Sequence, residues 1–176
     1  GAIGGEIILN DKKYGILKAI GHYSGESELY VVEAAGKKYI LKCYYPNFRP
    51  KESILKELKG LVHEDIVSLI DYGYYQGRFF EILEYAKGGS LLDTNPDGTY
   101  RYIPIRDMQR LKQIIRETVN ALQFCHSRGI VHRDIKPQNI FFANSDGTDI
   151  QIGDFGISSM LDEGLSKHLT GQARTE

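Results

Sequence analysis

The apolar residues of this chain change period near residue 85, and that change restricts the folds open to it. Up to there they fall in strand-length runs rich in Ile, Val and Tyr: Ile7–Leu9, Tyr14–Ile20, Leu29–Ala34 and Tyr39–Tyr44. Turn-like stretches at Asn10-Asp11, Gly21 to Ser27 and Gly36-Lys37 separate them. Between Pro50 and His63 the residues Ile54, Leu55, Leu58, Leu61 and Val62 recur at helical spacing, so one helix interrupts the strands. Two more strands, Ile66–Tyr72 and Phe79–Tyr85, join through Gln76-Gly77. The expected product is a mostly antiparallel sheet with one helix packed on it.

Beyond Tyr85 the pattern is different. Lys87-Gly88-Gly89-Ser90 reads as a flexible link and Thr94 to Thr99 as a polar loop. Met108, Leu111, Ile114, Ile115, Val119 and Leu122 form an apolar stripe on a long helix, Arg106 to Ser127, with Gly129 placed to stop it. Two short strands follow, Ile140–Phe142 and Ile150–Ile152, around an Asp146-Gly147 turn. The chain therefore reads as α+β in two parts, residues 1–84 and 85–176.

Composition excludes more than it assigns. A net charge of -1 gives no general pull toward nucleic acid or an anionic membrane, and neither is expected as a partner. Cys43 and Cys125 lie far apart with no metal-ligand spacing around them, as in a reducing compartment. No apolar run approaches the ~20 residues that span a bilayer, and the N-terminus lacks a charged-then-apolar signal pattern. A cytoplasmic location is expected.

Chemistry concentrates after the long helix. His132-Arg133-Asp134-Ile135-Lys136-Pro137-Gln138-Asn139 precedes the last pair of strands, and that pair runs into Asp154-Phe155-Gly156. Alone, Asp154 would be a turn residue ending a strand. Period-2 alternation puts it on one face with Ile150 and Ile152, a carboxylate at the end of an apolar row. Similarly, Lys42 shares a strand face with Ile40 and Tyr44, and a buried ammonium is costly unless an anion meets it.

Together these segments resemble the catalytic-loop and metal-binding signatures of the protein kinase superfamily, serine/threonine type. The resemblance implies an antiparallel five-stranded lobe with one helix in residues 1–84 and the first part of a helical lobe after it, with ATP and Mg²⁺ as cofactors and a protein bearing a Ser or Thr hydroxyl as substrate. It implies that Asp134 accepts the hydroxyl proton, Lys136 neutralises the transferring phosphate, and Asn139 and Asp154 hold Mg²⁺. Arg133 would pair with a phosphate on the following segment, at Ser166 or Thr170. Lys42 would contact nucleotide phosphates and a glutamate of the helix. Glu81-Ile82-Leu83-Glu84-Tyr85-Ala86 resembles the hinge, with Leu83 as gatekeeper and the backbone of Glu84 and Ala86 bonding the adenine edge. Val32 and Ile40 would flank the base. Lys136-Pro137 points to Ser/Thr acceptors, because tyrosine kinases typically carry an Ala/Arg-containing stretch there.

Two parts depart from the family pattern. Aligning Lys59 to Val67 with the family's stretch puts Ile54 where a glutamate belongs, so Glu57 is chosen, one turn on, with Glu52 as rival. The phosphate-covering loop keeps only Gly21 and Gly25, with Ser24 in a plausible glycine place. These departures keep open a pseudokinase or nucleotide-binding scaffold without turnover. A small-molecule kinase of related fold is opposed by Lys136-Pro137. The chain ends at Glu176, shortly before the family's Ala-Pro-Glu, so a partial helical lobe, marginal stability alone and a dimer or segment swap are expected.

Overall fold

Alternating apolar residues in the first half become a single six-stranded antiparallel sheet. The computed structural model describes residues 5–21, 26–95, 97–155 and 159–160. The sheet consists of β1 (Glu6–Leu9), β2 (Lys12–Gly21), β3 (Ser27–Ala34), β4 (Lys37–Tyr44), β5 (Leu69–Tyr75) and β6 (Arg78–Glu84). Their order is β1-β2-β3-β4-β6-β5, one strand more than the five that the resemblance implies. β1, read in the sequence as the run Ile7–Leu9, holds the edge of the sheet and pairs with β2 through the two-residue turn at Asn10 and Asp11, both at positive φ. The end of β1 returns to β5, where Asn10 Nδ2 donates to Asp71 Oδ1 at 2.8 Å.

Alternation assigns the two faces of this sheet. Tyr39, Leu41 and Cys43 of β4 and Phe80 and Ile82 of β6 enter a core with Ile7, Leu9, Tyr14 and Val32. The intervening residues Ile40, Lys42, Tyr44, Glu81 and Leu83 therefore face the other way, toward α1 (Glu52–Lys59) and the second half of the chain. The helix is shorter than the Pro50–His63 span expected. It buries Ile54, Leu55 and Leu58 and stops at Gly60, a poor helix residue, while Leu61 continues into the core from a non-helical turn.

Part of the strand expected at Ile66–Tyr72 does different work. Val67 N–H donates to Ile152 O and Ile152 N–H to Asp65 O, both at 2.9 Å, so residues 65–67 stitch the sheet side to the distal hairpin. Pairing with β6 begins only at Leu69.

In the second half, β7 (Leu92–Thr94) and β8 (Tyr100–Tyr102) form a small hairpin on either side of the polar loop expected at Thr94 to Thr99. Three-residue strands are too short to show a period, and the Asp97 carboxylate, accepting from Thr99 N–H at 2.9 Å, closes the turn. The expected link at 87–90 is pinned rather than loose. Gly88 N–H donates to Phe142 O and Phe142 N–H to Gly89 O, and a Cβ on Gly88 would lie 2.3 Å from Asn144 O.

Helix α2 (Met108–Ser127) is capped by Asp107, whose side chain accepts from Gln109 N–H at 3.0 Å. It ends at Arg128, and Gly129 follows at positive φ. Its buried row is Ile114, Thr118, Ala121 and Cys125, whereas Met108, Leu111, Ile115 and Val119 of the expected stripe are exposed. The buried row packs on β11 (Ile150–Ile152), which pairs with β10 (Ile140–Phe142), and on β9 (Ile130–Val131). β9 also pairs with β12 (Ser159–Met160). One apolar cluster runs from Tyr44 and Phe79 through α1 to Ile114, Cys125, Phe142 and Ile152, joining both halves. Among the described residues no helix is long and apolar enough to cross a membrane.

Candidate functional site

Between the sheet and the β10–β11 hairpin lies a cleft of about 970 Å³. Lys42 and Glu81 line it from the sheet; Lys136, Asn139, Gly153 and Asp154 line it from the opposite side. The Lys42 ammonium reaches Asp154 Oδ1 at 3.3 Å, bridging the two walls. Burial works against that charge, but Asp154 and Glu81 outweigh it and leave the Lys42 pKa above the ordinary lysine value.

The short segment between β9 and β10 folds around His132, which is buried. One ring nitrogen, Nε2, lies 2.6 Å from Gly153 O, and the other, Nδ1, accepts from Asp134 N–H at 3.1 Å. Since Nδ1 accepts, Nε2 carries the proton and the ring is neutral. Burial accordingly pushes its pKa below the ordinary value, against opposing pulls from the Gly153 carbonyl, Asp154 and Asp134. Through this imidazole the segment before Asp134 is tied to the segment before Asp154. Arg133 and Asp154, on either side of that tie, are both non-glycine residues at positive φ, 72° and 54°. Such backbone is costly and persists only where its surroundings over-determine it.

Asp134 is held from two further sides. Asn139 Nδ2 donates to Asp134 O at 2.8 Å and to Asp134 Oδ2 at 3.2 Å, and Lys136 Nζ lies 3.5 Å from Oδ2. Asn139 sits in a 3-10 turn, Pro137–Asn139, and is itself buried. With its NH₂ group committed to Asp134, the amide presents oxygen as its remaining polar atom. The Glu81 and Asp154 carboxylates, the Asn139 amide and the Lys42 and Lys136 ammonium groups thus line one cleft, with the Asp134 carboxylate tied to Asn139 and Lys136.

Residues 17–174 of the 176 match the family described as protein kinase domain. The chain belongs to that family. Its similarity to serine/threonine-protein kinase CST20 of Candida albicans is 38% identity over 123 residues, 68% of this chain and 9% of that protein. Against serine/threonine-protein kinase shk1/pak1 of Schizosaccharomyces pombe it is 34% over 123 residues, 68% and 18%. Against the probable serine/threonine-protein kinase fhkA of Dictyostelium discoideum it is 35% over 177 residues, 91% and 29%. The chain thus spans less than a third of the length of each of these relatives.

Within this kinase domain most of the residues singled out in the sequence meet at the cleft. Ile40, Leu83, Glu84 and Ala86 line it beside the groups already described. Arg133 is exposed at the edge of the same segment. Gly21 ends β2; Ser24, Gly25, Ser166 and Thr170 lie outside the described residues.

Two expectations are corrected. Val32 does not flank the cleft: it pairs with Tyr39 and is fully buried in the opposite core. The residue beside Ile40 in register is Val31, which lines the cleft. A slip of one residue along a strand exchanges faces. Glu57 does not meet Lys42 either, because it stands on the exposed side of α1, and Ile54 takes the inward place. Glu52 accepts from the Tyr72 hydroxyl at 3.3 Å instead.

The sequence reading named Tyr44 on the Lys42 face and Glu81 at the start of the hinge stretch but gave neither a role. The Tyr44 hydroxyl donates to Glu81 Oε1, and Glu81 is the cross-strand partner of Lys42. The available signal was a single acid inside the apolar run Phe79-Phe80-Glu81-Ile82-Leu83.

Proposed function

We propose that this domain transfers the γ-phosphoryl group of ATP to serine or threonine hydroxyls of protein substrates. The reading is carried by the convergence of Lys42, Lys136, Asn139 and Asp154 on one cleft, with Asp134 tied to two of them. Phosphoryl transfer asks little covalent chemistry of the protein; it needs positioning and neutralised charge.

In this scheme the adenine edge bonds the Glu84 carbonyl and the Ala86 N–H, with Val31 and Ile40 against its faces and Leu83 behind it. Lys42 contacts the phosphates. Asp134, fixed by Asn139 and by the His132 ring, takes the proton of the acceptor hydroxyl as it attacks. Lys136, 3.5 Å from Asp134 Oδ2, is near enough to serve the phosphoryl group in flight.

The donor set suits Mg²⁺, which is usually held by one or two carboxylates with phosphate and water completing its shell. Asp154 supplies a partly exposed carboxylate and Asn139 an amide oxygen, and no cluster of three or more His, Cys, Asp or Glu occurs among the described residues. Bound there, the cation would neutralise phosphate oxygens as charge develops on them.

Lys136-Pro137 supports a Ser/Thr acceptor, as do the names of the three relatives. Arg133 pairs with a phosphorylated residue of the following segment, Ser166 or Thr170. A cytosolic setting belongs to the same proposal, supported by two free, buried cysteines.

The test is transfer of radiolabelled phosphate from ATP to a protein substrate by the full-length protein carrying this domain, beside Asp134→Asn. The variant is expected to lose about 10²–10⁴-fold in rate while melting at the same temperature. ATP binding without transfer by the wild type would replace this reading with that of a nucleotide-binding scaffold.

A further inference from the structure

We propose that Glu81, steadied by the Tyr44 hydroxyl, is the positioning residue for Lys42, so that the lysine is oriented from within the sheet and not by α1. The inference rests on the proposed role of Lys42 at the nucleotide phosphates.

Glu81 lies directly opposite Lys42 in the β4–β6 register, and cross-strand neighbours on one face stand about 4.5–5.5 Å apart between Cβ atoms. The carboxylate is buried, with the residue 5% exposed. A buried carboxylate needs compensation, and the groups that supply it are the Lys42 charge and the Tyr44 hydroxyl, which donates to Oε1. The Lys42 ammonium also sits 4.9 Å over the Tyr44 ring, so these three side chains form one assembly on the cleft face of β4 and β6.

Of the anions that act on Lys42, Asp154 and Glu81 are not equivalent. Asp154 is its direct contact, but its side chain is 39% exposed and it stands on the opposite wall at the end of a hairpin. When its carboxylate turns to a cation, Lys42 loses that partner. Glu81 cannot leave, because it is built into a central strand with neighbours on both sides. Nothing on α1 competes for the role: the inward position is Ile54, and Glu57 is exposed.

The test is the Mg²⁺·ATP affinity of the full-length protein by titration calorimetry in Glu81→Gln, Lys42→Met and the double variant. Each single change should weaken binding about tenfold, and the double should bind no more weakly than Lys42→Met alone, because Glu81 acts through the lysine. Additive losses, or a larger loss from Glu57→Gln than from Glu81→Gln, overturn the inference. Should Glu81→Gln not fold, Tyr44→Phe decides, since it keeps the ring and removes only the hydroxyl. A measurable loss of affinity that disappears in the Lys42→Met background supports the inference; unchanged affinity overturns it. Because affinity is read separately from transfer, a wild type that binds ATP with this coupling but moves no phosphate defeats the proposed reaction and leaves the role of Glu81 standing.

Discussion

The His132 ring spends both nitrogens on backbone groups, accepting from Asp134 N–H and lying against Gly153 O, and this requires the neutral form. Its pKa is depressed in the folded protein while the unfolded chain keeps the ordinary 6.5. The unfolded state therefore binds more protons as the medium acidifies. The stabilisation is complete above about pH 6.5 and is lost as pH falls from there through the lower folded pKa. Melting temperature should decline over that window, and His132→Asn should be less stable at neutral pH yet flatter across it. Neighbouring positions on β3 offer a second residue-scale prediction. Val31→Ala should weaken ATP binding and, because the residue is only 3% exposed, lower melting as well. Val32→Ala, in the closed core, should cost about 2 kcal/mol of stability and spare binding. Denaturant titration and calorimetry on the same pair separate the two effects.

At the scale of elements, the connection after β6 is worth the most attention. Residues 88–91 exchange backbone hydrogen bonds with β10, so the passage between the two halves is anchored to the same hairpin that carries Asp154. Gly88 allows this because its Cα approaches backbone of the 142–144 turn more closely than any side chain permits; the atoms a Cβ would meet are Asn144 O at 2.3 Å and Phe142 Cβ at 2.5 Å. Gly88→Ala should force those strands apart, costing about 1–3 kcal/mol in urea unfolding and loosening nucleotide binding as well. Segment 65–67 is the corresponding tie from the other direction, through Ile152. Together they explain how a three-residue strand such as β11 can hold the Asp154 carboxylate at the cleft in a demanding backbone conformation.

Taken whole, the molecule is two layers of structure with charge gathered at their seam. Lys42 on one wall and Asp154 on the other already attract across the cleft, and a phosphate chain with its cation would replace that single ion pair with several. Ligand that binds only the folded state stabilises it by mass action, so Mg²⁺·ATP at about a hundred times its dissociation constant should add about 2.7 kcal/mol. A thermal shift assay reads this directly, and Asp154→Asn, which removes both the ion pair and the proposed cation ligand, should abolish most of the shift.

Much of this was legible in the chain. Strand runs, the long helix with its Gly129 stop, the hairpin ending at Asp154 and the segment at 132–139 are local patterns, and local hydrogen bonding and alternation suffice to produce them. The residues at 132–139 and 154–156, being adjacent or nearly so, also carried the family resemblance. What lay beyond reading was whatever depends on pairing between distant segments. Register put Val31 and not Val32 beside Ile40, set Glu81 opposite Lys42, and drew Ile66 and Val67 out of a strand to bridge to Ile152. Such choices follow from which buried surfaces fit together once both halves are present. A side chain's place on a strand face is settled by its own segment, but what it faces is settled by another.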